Sequence, residues 1–356
     1  MAYRILAINP GSTSTKVALY EDEKRIFTRL VPLDEKELEG KHNLFDQLPL
    51  HERAVQETLK ANNVDVSSLN VIMARGGLLP PVKPGGYKVN DTMKELIRSG
   101  ELSPHPSNLA ALIADDLGAP YGIPCYIYDA PSASNMPPIA RITGIPEITR
   151  ESTCHVLNSR AVAHKVAQKE FGKKYGEMRF IVAHLGGGIS FSSHMYGKIV
   201  DSAGDDDGAF SPERSGGLPL LDVLKLYDSG KYTYDEMRRK IRGQGGLRGH
   251  LGTADCREIE EMVWSGDEYA ELLYKAQAYQ IAKGIGLQAA AMKGQVDGII
   301  LTGGLAFSKM LTDWVSEYVS FVAPVFVYPG ENEMESLALG GLRILRGEEK
   351  AREFKL

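Results

Sequence analysis

Apolar and polar positions in the first half of the chain alternate between short strand-like runs and longer helix-like runs. Short apolar runs bounded by turn residues predict strands, and the alternation of residues 15–20 predicts a half-buried strand. Apolar residues at helical spacing predict helices, one of which we expect Asp91 to cap. The predicted strands are 4–9, 15–20, 25–31, 71–74 and 125–129, and the predicted helices are 48–62, 91–99 and 107–117.

The second half repeats this order of elements. Its predicted strands are 179–185, 189–196, 198–203, 298–302 and 325–329, and its predicted helices are 218–228, 234–241, 253–265, 267–292, 307–319 and 333–346. Strands that alternate with helices in this way predict an α/β fold.

The openings of the two halves can be aligned residue by residue. Setting ILAINPGSTST over IVAHLGGGISF pairs Asn9 with His184 and Gly11 with Gly186. We interpret this self-similarity as a duplicated domain, with two unrelated α/β domains as the alternative. Two similar domains that face each other would form a cleft, where small molecules commonly bind.

Length, charge and composition narrow the class of protein. The 356 residues exceed the roughly 250–300 that one core supports, which favours two domains. A net charge of −5 argues against nucleic acid or an anionic membrane as partner. The three cysteines are sparse, and no signal-like or long apolar segment is found, so we expect a cytoplasmic protein. The 37 glycines indicate many sharp turns or close backbone contacts.

Three loops of small residues are candidates for binding phosphate. Residues 9–16 combine exposed backbone N–H groups with several hydroxyls and the Lys16 ammonium, although an ordinary polar turn is the alternative. Gly186, Gly187 and Gly188 are one glycine more than a tight hairpin needs, which favours a ligand packed against the backbone. The turn at Gly303 precedes a predicted helix, so helix N-terminal amides are also available there. None of these loops is a Walker or dinucleotide-binding motif.

Charged residues beside turns form the second set of candidates. Arg75 and Asp129 directly follow predicted strands, whose carboxyl ends border the ligand site in an α/β sheet. Two arginines can stabilise a transferring phosphoryl group, and carboxylates can hold Mg²⁺, although each residue alone could form a loop salt bridge. The other members of this set are Arg214, Asp255, Arg257 and Glu333.

These motifs resemble those of the acetokinase family, the acetate and butyrate kinases, and the resemblance covers essentially the whole chain. It rests on NPGSTSTK at residues 9–16, ARGG, YDAP, HLGGG, ERSGG, TADCRE and NEME. The family's Phe-His-Gly-Thr-x-His segment is replaced by RESTCHVLN, which, with the shorter length, resembles the butyrate kinases more closely. His155 aligns with the second family histidine and Glu151 stands near the first, and the sequence leaves open which of them replaces the catalytic histidine.

The resemblance implies a fold and an activity. The fold would consist of two duplicated actin-like ATPase (ribonuclease H-like) domains, each βββαβαβα, with an interdomain cleft. Their expected extents are 1–149 and 150–340, with the helix at 341–356 a candidate to complete the first. The activity would be reversible ATP-dependent phosphorylation of a short-chain carboxylate, butyrate first, by a homodimer or higher homo-oligomer that uses Mg²⁺. Acetate, propionate or branched-chain acids are alternative substrates, and a sugar kinase or a non-enzymatic actin-like nucleotide switch are alternative functions.

The resemblance also assigns roles to residues. The implied catalytic residues are Arg75, Asp129, Arg214, His155 and His184. The implied nucleotide-binding residues are Asn9, Ser12, Ser14, Lys16, Gly186, Gly187, Gly188, Gly303 and Gly304, with Asp255 and Arg257 near the adenosine. The implied metal site consists of Asp129, Glu333 and Asn9.

Overall fold

The computed structural model describes residues 2–39, 43–152, 154–204 and 206–356. Its strands are β1 (Arg4–Pro10), β2 (Ser14–Glu21), β3 (Lys24–Pro32), β4 (Val71–Arg75), β5 (Gly86–Lys88), β6 (Cys125–Tyr128), β7 (Arg179–Leu185), β8 (Ile189–Met195), β9 (Lys198–Ala203), β10 (Gly298–Gly303), β11 (Val325–Pro329) and β12 (Arg352–Glu353).

Its helices are α1 (Glu35–Leu38), α2 (Leu48–Ala61), α3 (Asp91–Ser99), α4 (Leu109–Gly118), α5 (Pro138–Arg141), α6 (Val156–Phe171), α7 (Leu220–Asp228), α8 (Tyr234–Ile241), α9 (Gly246–Leu251), α10 (Cys256–Trp264), α11 (Glu268–Ala291), α12 (Lys309–Val319) and α13 (Glu333–Leu345). No helix in the described ranges is long and apolar enough to cross a membrane.

The chain divides into two compact units. Unit 1 comprises Met1–Ala133 and Asn332–Leu356, and unit 2 comprises Ser134–Glu331. The chain therefore passes between units at 133/134 and 331/332, compared with 149/150 and 340/341 expected from the sequence. All of α13 belongs to unit 1, because the helix packs on that unit's sheet.

The sheet of unit 1 has the strand order β12-β5-β6-β4-β1-β2-β3. Strand β1 pairs antiparallel with β2 and parallel with β4, and β4 pairs parallel with β6. Leu6 and Ile8 of β1 join the apolar cluster that contains the buried face of α4. On the opposite face α13 approaches closely, since a Cβ added to Gly341 would stand 2.7 Å from the side chain of Met73. Helices on both faces explain why β1 is almost entirely apolar.

The sheet of unit 2 has the strand order β11-β10-β7-β8-β9. Strand β7 pairs antiparallel with β8 and parallel with β10. Ile181 and Ala183 pack with α11, whereas Phe180 and Val182 pack with α6, as expected for a strand covered on both faces. A Cβ added to Gly284 of α11 would stand 2.5 Å from the Phe191 ring, so this helix also lies very close to its sheet.

The two sheets share one topology. Read from the hairpin side, the strands run β3-β2-β1-β4-β6 in unit 1 and β9-β8-β7-β10-β11 in unit 2. In each sheet the first three strands pair antiparallel, and the fourth strand pairs parallel with the third. The last strands, β6 and β11, are each parallel to their neighbour. This agreement confirms the predicted duplicated α/β fold.

Two of the local differences between prediction and structure have a clear physical cause. The cap of α3 is Asn90, whose side chain accepts a hydrogen bond from the Met93 N–H at 3.0 Å, so the prediction that Asp91 caps this helix is wrong. Both residue types cap helices well, and the pattern alone does not choose between neighbours. Helix α6 was not predicted beyond its start near His155, because nine of its residues are buried and no clear apolar stripe marks it.

Candidate active site

The turn between β1 and β2 places Asn9 directly opposite Lys16. The Gly11 N–H donates to the Ser14 carbonyl at 2.8 Å and closes the turn. Ser12 is exposed at its tip and Ser14 is half-buried. The turn therefore carries hydroxyl groups at the carboxyl end of β1. The Asn9 side chain lies on the strand before the turn and the Lys16 side chain on the strand after it.

A buried histidine forms a hydrogen bond with Thr15, the residue after this turn. Nδ1 of His51, on α2, lies 2.8 Å from Oγ1 of Thr15, and both residues are buried. Burial lowers the pKa of His51 to about 4, so the ring is neutral at physiological pH. The hairpin is thereby fixed to a helix of the same unit.

The Glu333 carboxylate joins three elements of unit 1. Its Oε2 accepts a hydrogen bond from Asn9 Nδ2 at 2.7 Å, and its Oε1 lies 2.9 Å from Arg75 Nη1. Lys16 Nζ lies 3.7 Å from Oε2. The two cations of this cluster, an ammonium and a guanidinium, suit the binding of an anion in a chain whose overall charge is negative.

Asp129 lies beside this cluster at the end of the neighbouring strand. Arg75 and Tyr128 are register partners on the parallel strands β4 and β6, so Arg75 and Asp129 emerge at the same edge of the sheet. Asp129 is buried with φ at +46°, a strained value for a residue other than glycine. Its Oδ1 accepts the Gly85 N–H at 2.7 Å. A Cβ on Gly76 would stand 2.5 Å from Ala130 Cα, so this crowded edge requires glycine.

Two histidines stack in unit 2. The rings of His155 and His184 have centroids 3.8 Å apart and planes inclined by 11°. His184 is buried on β7, and Nδ1 of His155 lies 2.8 Å from Oγ of Ser190. Since Ser190 is the register partner of His184 on β8, the hairpin itself places the hydroxyl that holds the second ring.

The glycine loop lies directly against the His184 ring. A Cβ added to Gly186 would stand 3.1 Å from His184 Nε2. The Gly186 N–H donates to the Gly188 carbonyl at 3.1 Å, and Gly187 is exposed at the tip. Glu331 Oε1 lies 3.3 Å from the same Nε2. The loop and the histidine therefore form one surface of unit 2.

Ser211 connects the glycine loop to the Arg214 turn. Its hydroxyl donates to the Gly187 carbonyl at 2.6 Å and accepts the Arg214 N–H at 3.1 Å. A Cβ on Gly246, whose φ is +61°, would stand 1.8 Å from the Ser211 carbonyl oxygen, so only glycine fits beneath this turn. Burial, with a smaller effect from the nearby charge of Arg242, lowers the pKa of Arg214, and the guanidinium stays charged at neutral pH.

Gly303 and Gly304 follow β10. Gly303 has φ at +91°, and a Cβ there would stand 2.3 Å from the Leu185 carbonyl oxygen. Its N–H donates to the Gly330 carbonyl at 3.3 Å. The first glycine is thus required by backbone packing at the end of β7, whereas Gly304 is exposed and begins a short 3₁₀ turn.

Asp255 and Arg257 bind each other at the start of α10. Asp255 caps the helix by accepting the Arg257 N–H at 3.0 Å, and the Arg257 guanidinium approaches its carboxylate to 2.6 Å. These bonds lower the pKa of Asp255 to about 2. The contacts of this pair lie within the first turn of the helix, with the Arg257 side chain 89% exposed.

Glu151, the alternative to His155, lies in a different setting. Its carboxylate pairs with Arg141 at 2.9 Å and is half exposed. His155, by contrast, stacks on His184 beside the glycine loop.

Asp129 and Glu333 are suited to hold Mg²⁺. Within the described ranges, no group of three or more His, Cys, Asp or Glu side chains converges as a metal site. Mg²⁺ commonly binds through one or two carboxylates and completes its shell with water and phosphate oxygens, so a closed protein cage is not needed. Two carboxylates, those of Asp129 and Glu333, fit this type of coordination.

Sequence reasoning missed Asn158 and Glu331. Asn158 Nδ2 lies 3.0 Å from His184 Nδ1, and Glu331 faces the other ring nitrogen. Asn158 stands three residues after His155, so one helical turn brings both to the same ring. A prediction of helix α6 would have placed Asn158 on the same helix face as His155.

Comparisons with known proteins agree with these features. The acetokinase family profile matches residues 146–317. Butyrate kinase 2 of Clostridium acetobutylicum is 44% identical over 357 residues, covering 100% of both chains. A probable butyrate kinase 2 of Caldanaerobacter subterraneus subsp. tengcongensis is 48% identical over 348 residues, covering 98% of both.

Solved structures show the same fold at lower identity. Acetate kinase of Porphyromonas gingivalis superimposes with a TM-score of 0.80 at 21% identity, covering 97% of this chain and 100% of that one. A propionate kinase of Francisella tularensis superimposes with a TM-score of 0.73 at 18% identity, covering 95% and 98%.

Proposed function

This chain belongs to the acetokinase family, and on that premise we propose that it phosphorylates butyrate reversibly with ATP, forming butyryl phosphate and ADP. It is a phosphotransferase whose acceptor is a carboxyl group. The observation that carries this conclusion is the identity of 44% with a butyrate kinase over the full length of both chains.

The phosphoryl transfer requires neither a covalent enzyme intermediate nor a general base. A carboxylate oxygen forms a bond to the γ-phosphorus while the bond from that phosphorus to the β,γ-bridging oxygen breaks, and its electron pair stays on ADP. The nucleophile is already an anion, so no general base has to remove a proton. Catalysis then consists of positioning and of charge stabilisation at the transferring group.

The cluster in unit 1 provides positive charge and phosphate contacts. Arg75 would bind the substrate carboxylate, with its guanidinium oriented by Glu333 at 2.9 Å. Lys16 and the Asn9 side chain would bind phosphate oxygens, together with the hydroxyls of Ser12 and Ser14. The guanidinium and the ammonium, which both contact Glu333, support the assignment.

The cluster in unit 2 provides donors for the transferring phosphoryl group. Gly186, Gly187 and Gly188 would bind phosphate through their backbone, and His184 would donate from Nε2. Arg214 would place a second guanidinium on the equatorial oxygens. The adjacent Glu213 binds Arg248 at 2.7 Å, so this acid is engaged by another arginine.

The remaining assignments concern the nucleotide. Gly303 and Gly304 would border the phosphates, and Asp255 and Arg257 would lie near the adenosine. His155 is a better candidate than Glu151 for the family's histidine function, because it stacks on His184 while Glu151 pairs with Arg141.

Magnesium is the cofactor that this chemistry requires. Bound Mg²⁺ neutralises charge on the β- and γ-phosphates. Asp129 and Glu333 would hold it, with Asn9 beside them. Glu333 already accepts from Asn9 and pairs with Arg75, so it would act through a water molecule.

We also propose a homodimer or higher homo-oligomer that acts in the cytoplasm. The sparse cysteines support the compartment, since Cys125 and Cys154 are buried free thiols. Light scattering of the purified protein tests the assembly, and a mass of a single 39.0 kDa chain would exclude it.

The activity is tested by ³¹P NMR. Purified protein with ATP, Mg²⁺ and butyrate should produce an acyl phosphate resonance together with ADP. If ADP appears only with free phosphate, the protein is an ATPase rather than a carboxylate kinase.

A further inference from the structure

A chain of hydrogen bonds in unit 2 ends on the His184 ring. Asn158 Nδ2 lies 3.0 Å from His184 Nδ1 and 3.3 Å from Thr302 Oγ1. Thr302 Oγ1 in turn donates to the Gly330 carbonyl at 3.3 Å. We propose that Asn158 is a positioning residue that holds His184 in the tautomer with its proton on Nε2, directed at the glycine loop.

The donor and the acceptor of each hydrogen bond can be assigned by starting from the Gly330 carbonyl. A carbonyl oxygen only accepts, so the single Thr302 hydroxyl proton points to Gly330. The Thr302 oxygen can then only accept from Asn158, which identifies the amide group facing it as NH₂ rather than oxygen. The same NH₂ faces His184, so Nδ1 must accept. In a neutral imidazole the other nitrogen, Nε2, then carries the proton.

The surroundings keep this chain in place. Asn158 is buried with 4% of its surface exposed, and Thr302 and His184 are buried with it. Water is therefore largely excluded from competing for these bonds. Thr302 and His184 are also register partners on β10 and β7, so the sheet fixes the spacing that Asn158 spans.

His155 fixes the plane of the ring while Asn158 fixes its proton. The stacked geometry leaves the His184 ring edge facing Gly186, whose added Cβ would stand 3.1 Å from Nε2. A proton on Nε2 is therefore presented on the side where the glycine loop would hold phosphate oxygens. Glu331 Oε1 lies 3.3 Å from the same nitrogen, and its carboxylate favours the same tautomer. A proton on Nδ1 would instead face the amide hydrogens and leave only a lone pair at the loop, which repels an anion.

This inference rests on the proposed function for its catalytic consequence, but the tautomer can be measured alone. Protein labelled with ¹⁵N-histidine gives ring-nitrogen resonances that distinguish the two tautomers. A His184→Asn variant assigns the signal among the eight histidines of the chain. The wild-type protein should show a protonated Nε2 and an unprotonated Nδ1 at His184, and a protonated Nδ1 would overturn the proposal.

Two variants test the consequence. Asn158→Asp keeps the side-chain size but replaces the donor with an acceptor, so Nδ1 should become protonated. The kcat for acyl phosphate formation should fall by about tenfold to a hundredfold, with KM changed much less. The matched control Ser159→Ala removes a buried hydroxyl of the same helix that donates to the Val156 carbonyl, and should leave both tautomer and kcat unchanged.

Each outcome is decisive. An Asn158→Asp protein that retains the wild-type kcat, or the wild-type tautomer, would rule out the positioning role. If the wild-type protein forms no acyl phosphate at all, the proposed function fails while the resonances still decide whether Asn158 sets the tautomer. If the Asn158→Asp variant does not fold, Glu331→Ala decides, because it removes the other group that favours a proton on Nε2. An unchanged tautomer in that variant supports the role of Asn158, and a proton moved to Nδ1 overturns it.

Discussion

Arg75 Nη1 lies 2.9 Å from Glu333 Oε1. This contact joins the end of β4 to the first residue of α13, so the C-terminal part of the chain completes the cluster built by the N-terminal part. The pair is partly buried, with 27% and 14% of the two side chains exposed. Its geometry suits a guanidinium that is held ready for an anion rather than one free in solvent.

Replacing Arg75 with alanine should lower kcat for acyl phosphate formation by about a hundredfold or more and raise the KM for butyrate, because the substrate carboxylate loses the guanidinium that positions it for attack. The free energy of unfolding should change by less than about 1 kcal/mol, because the ion pair is partly exposed. Enzyme assays and urea denaturation measure the two effects. Arg346→Ala, which breaks an exposed pair with Glu23 in the same unit, is the control and should leave both unchanged.

Arg214→Ala should lower kcat to a similar degree while the protein stays folded, since the bond from the Arg214 backbone N–H to the Ser211 hydroxyl remains in the alanine variant. Arg214→Lys should restore only part of the rate, because an ammonium cannot bind two phosphoryl oxygens in a fork. A near-normal rate in the alanine variant would exclude a catalytic role for Arg214.

Glu333→Gln should raise the Mg²⁺ concentration needed for half-maximal rate. The amide oxygen can still accept from Asn9, but the charge that orients Arg75 and attracts the metal is lost. We expect a loss of at least about tenfold in kcat at low Mg²⁺ that excess Mg²⁺ partly restores. A titration of rate against Mg²⁺ checks this, and an unchanged titration curve would exclude a role in metal binding.

Gly186→Ala should disturb the phosphate loop without unfolding unit 2. The new Cβ would press on His184 Nε2 at 3.1 Å, while the backbone there needs no positive φ. The KM for ATP should rise several-fold and kcat should fall. Gly176→Ala, where a Cβ meets nothing within 4 Å, is the matched control for adding a methyl group. Equal kinetics for the two variants would contradict the assignment of this loop.

Stability should fall as the pH is lowered from 7 to 5, partly because of His51. The unfolded chain takes up a proton at this ring near pH 6.5, whereas the buried ring resists protonation until about pH 4. The unfolded state therefore binds more protons in this window, and acid favours it by about 2 kcal/mol at pH 5. Urea denaturation of His51→Leu at the two pH values should show a correspondingly smaller difference. The same slope in both proteins would contradict the neutral buried ring.

The strands and most helices were predictable because the apolar pattern is strong where both faces of a sheet are covered. Residues 179–185, 198–203 and 325–329 form strands with the predicted bounds, and 234–241 forms a helix with the predicted bounds. Helix α6 was not predicted, since burial on several sides removes the polar stripe that marks an amphipathic helix.

The candidate residues were predictable from strand ends and glycine turns, whereas their partners were not. Arg75 is the last residue of β4 and Asp129 follows β6, and the parallel pairing of these strands places both at one edge of the sheet. The packing of distant segments decides that Glu333 pairs with Arg75 and that His155 stacks on His184. A periodic pattern carries no information on such pairs, because it identifies a buried face and not the side chain that it meets.

The most direct test is a panel of carboxylates with ATP and Mg²⁺, in which acyl phosphate is trapped as hydroxamate. We expect acyl phosphate formation with the highest kcat/KM for butyrate, and lower values for acetate, propionate and branched-chain acids. A higher kcat/KM for acetate or propionate would contradict the assigned substrate. Absence of hydroxamate with every acid, in protein that is folded and binds ATP, would show that this chain is not a carboxylate kinase.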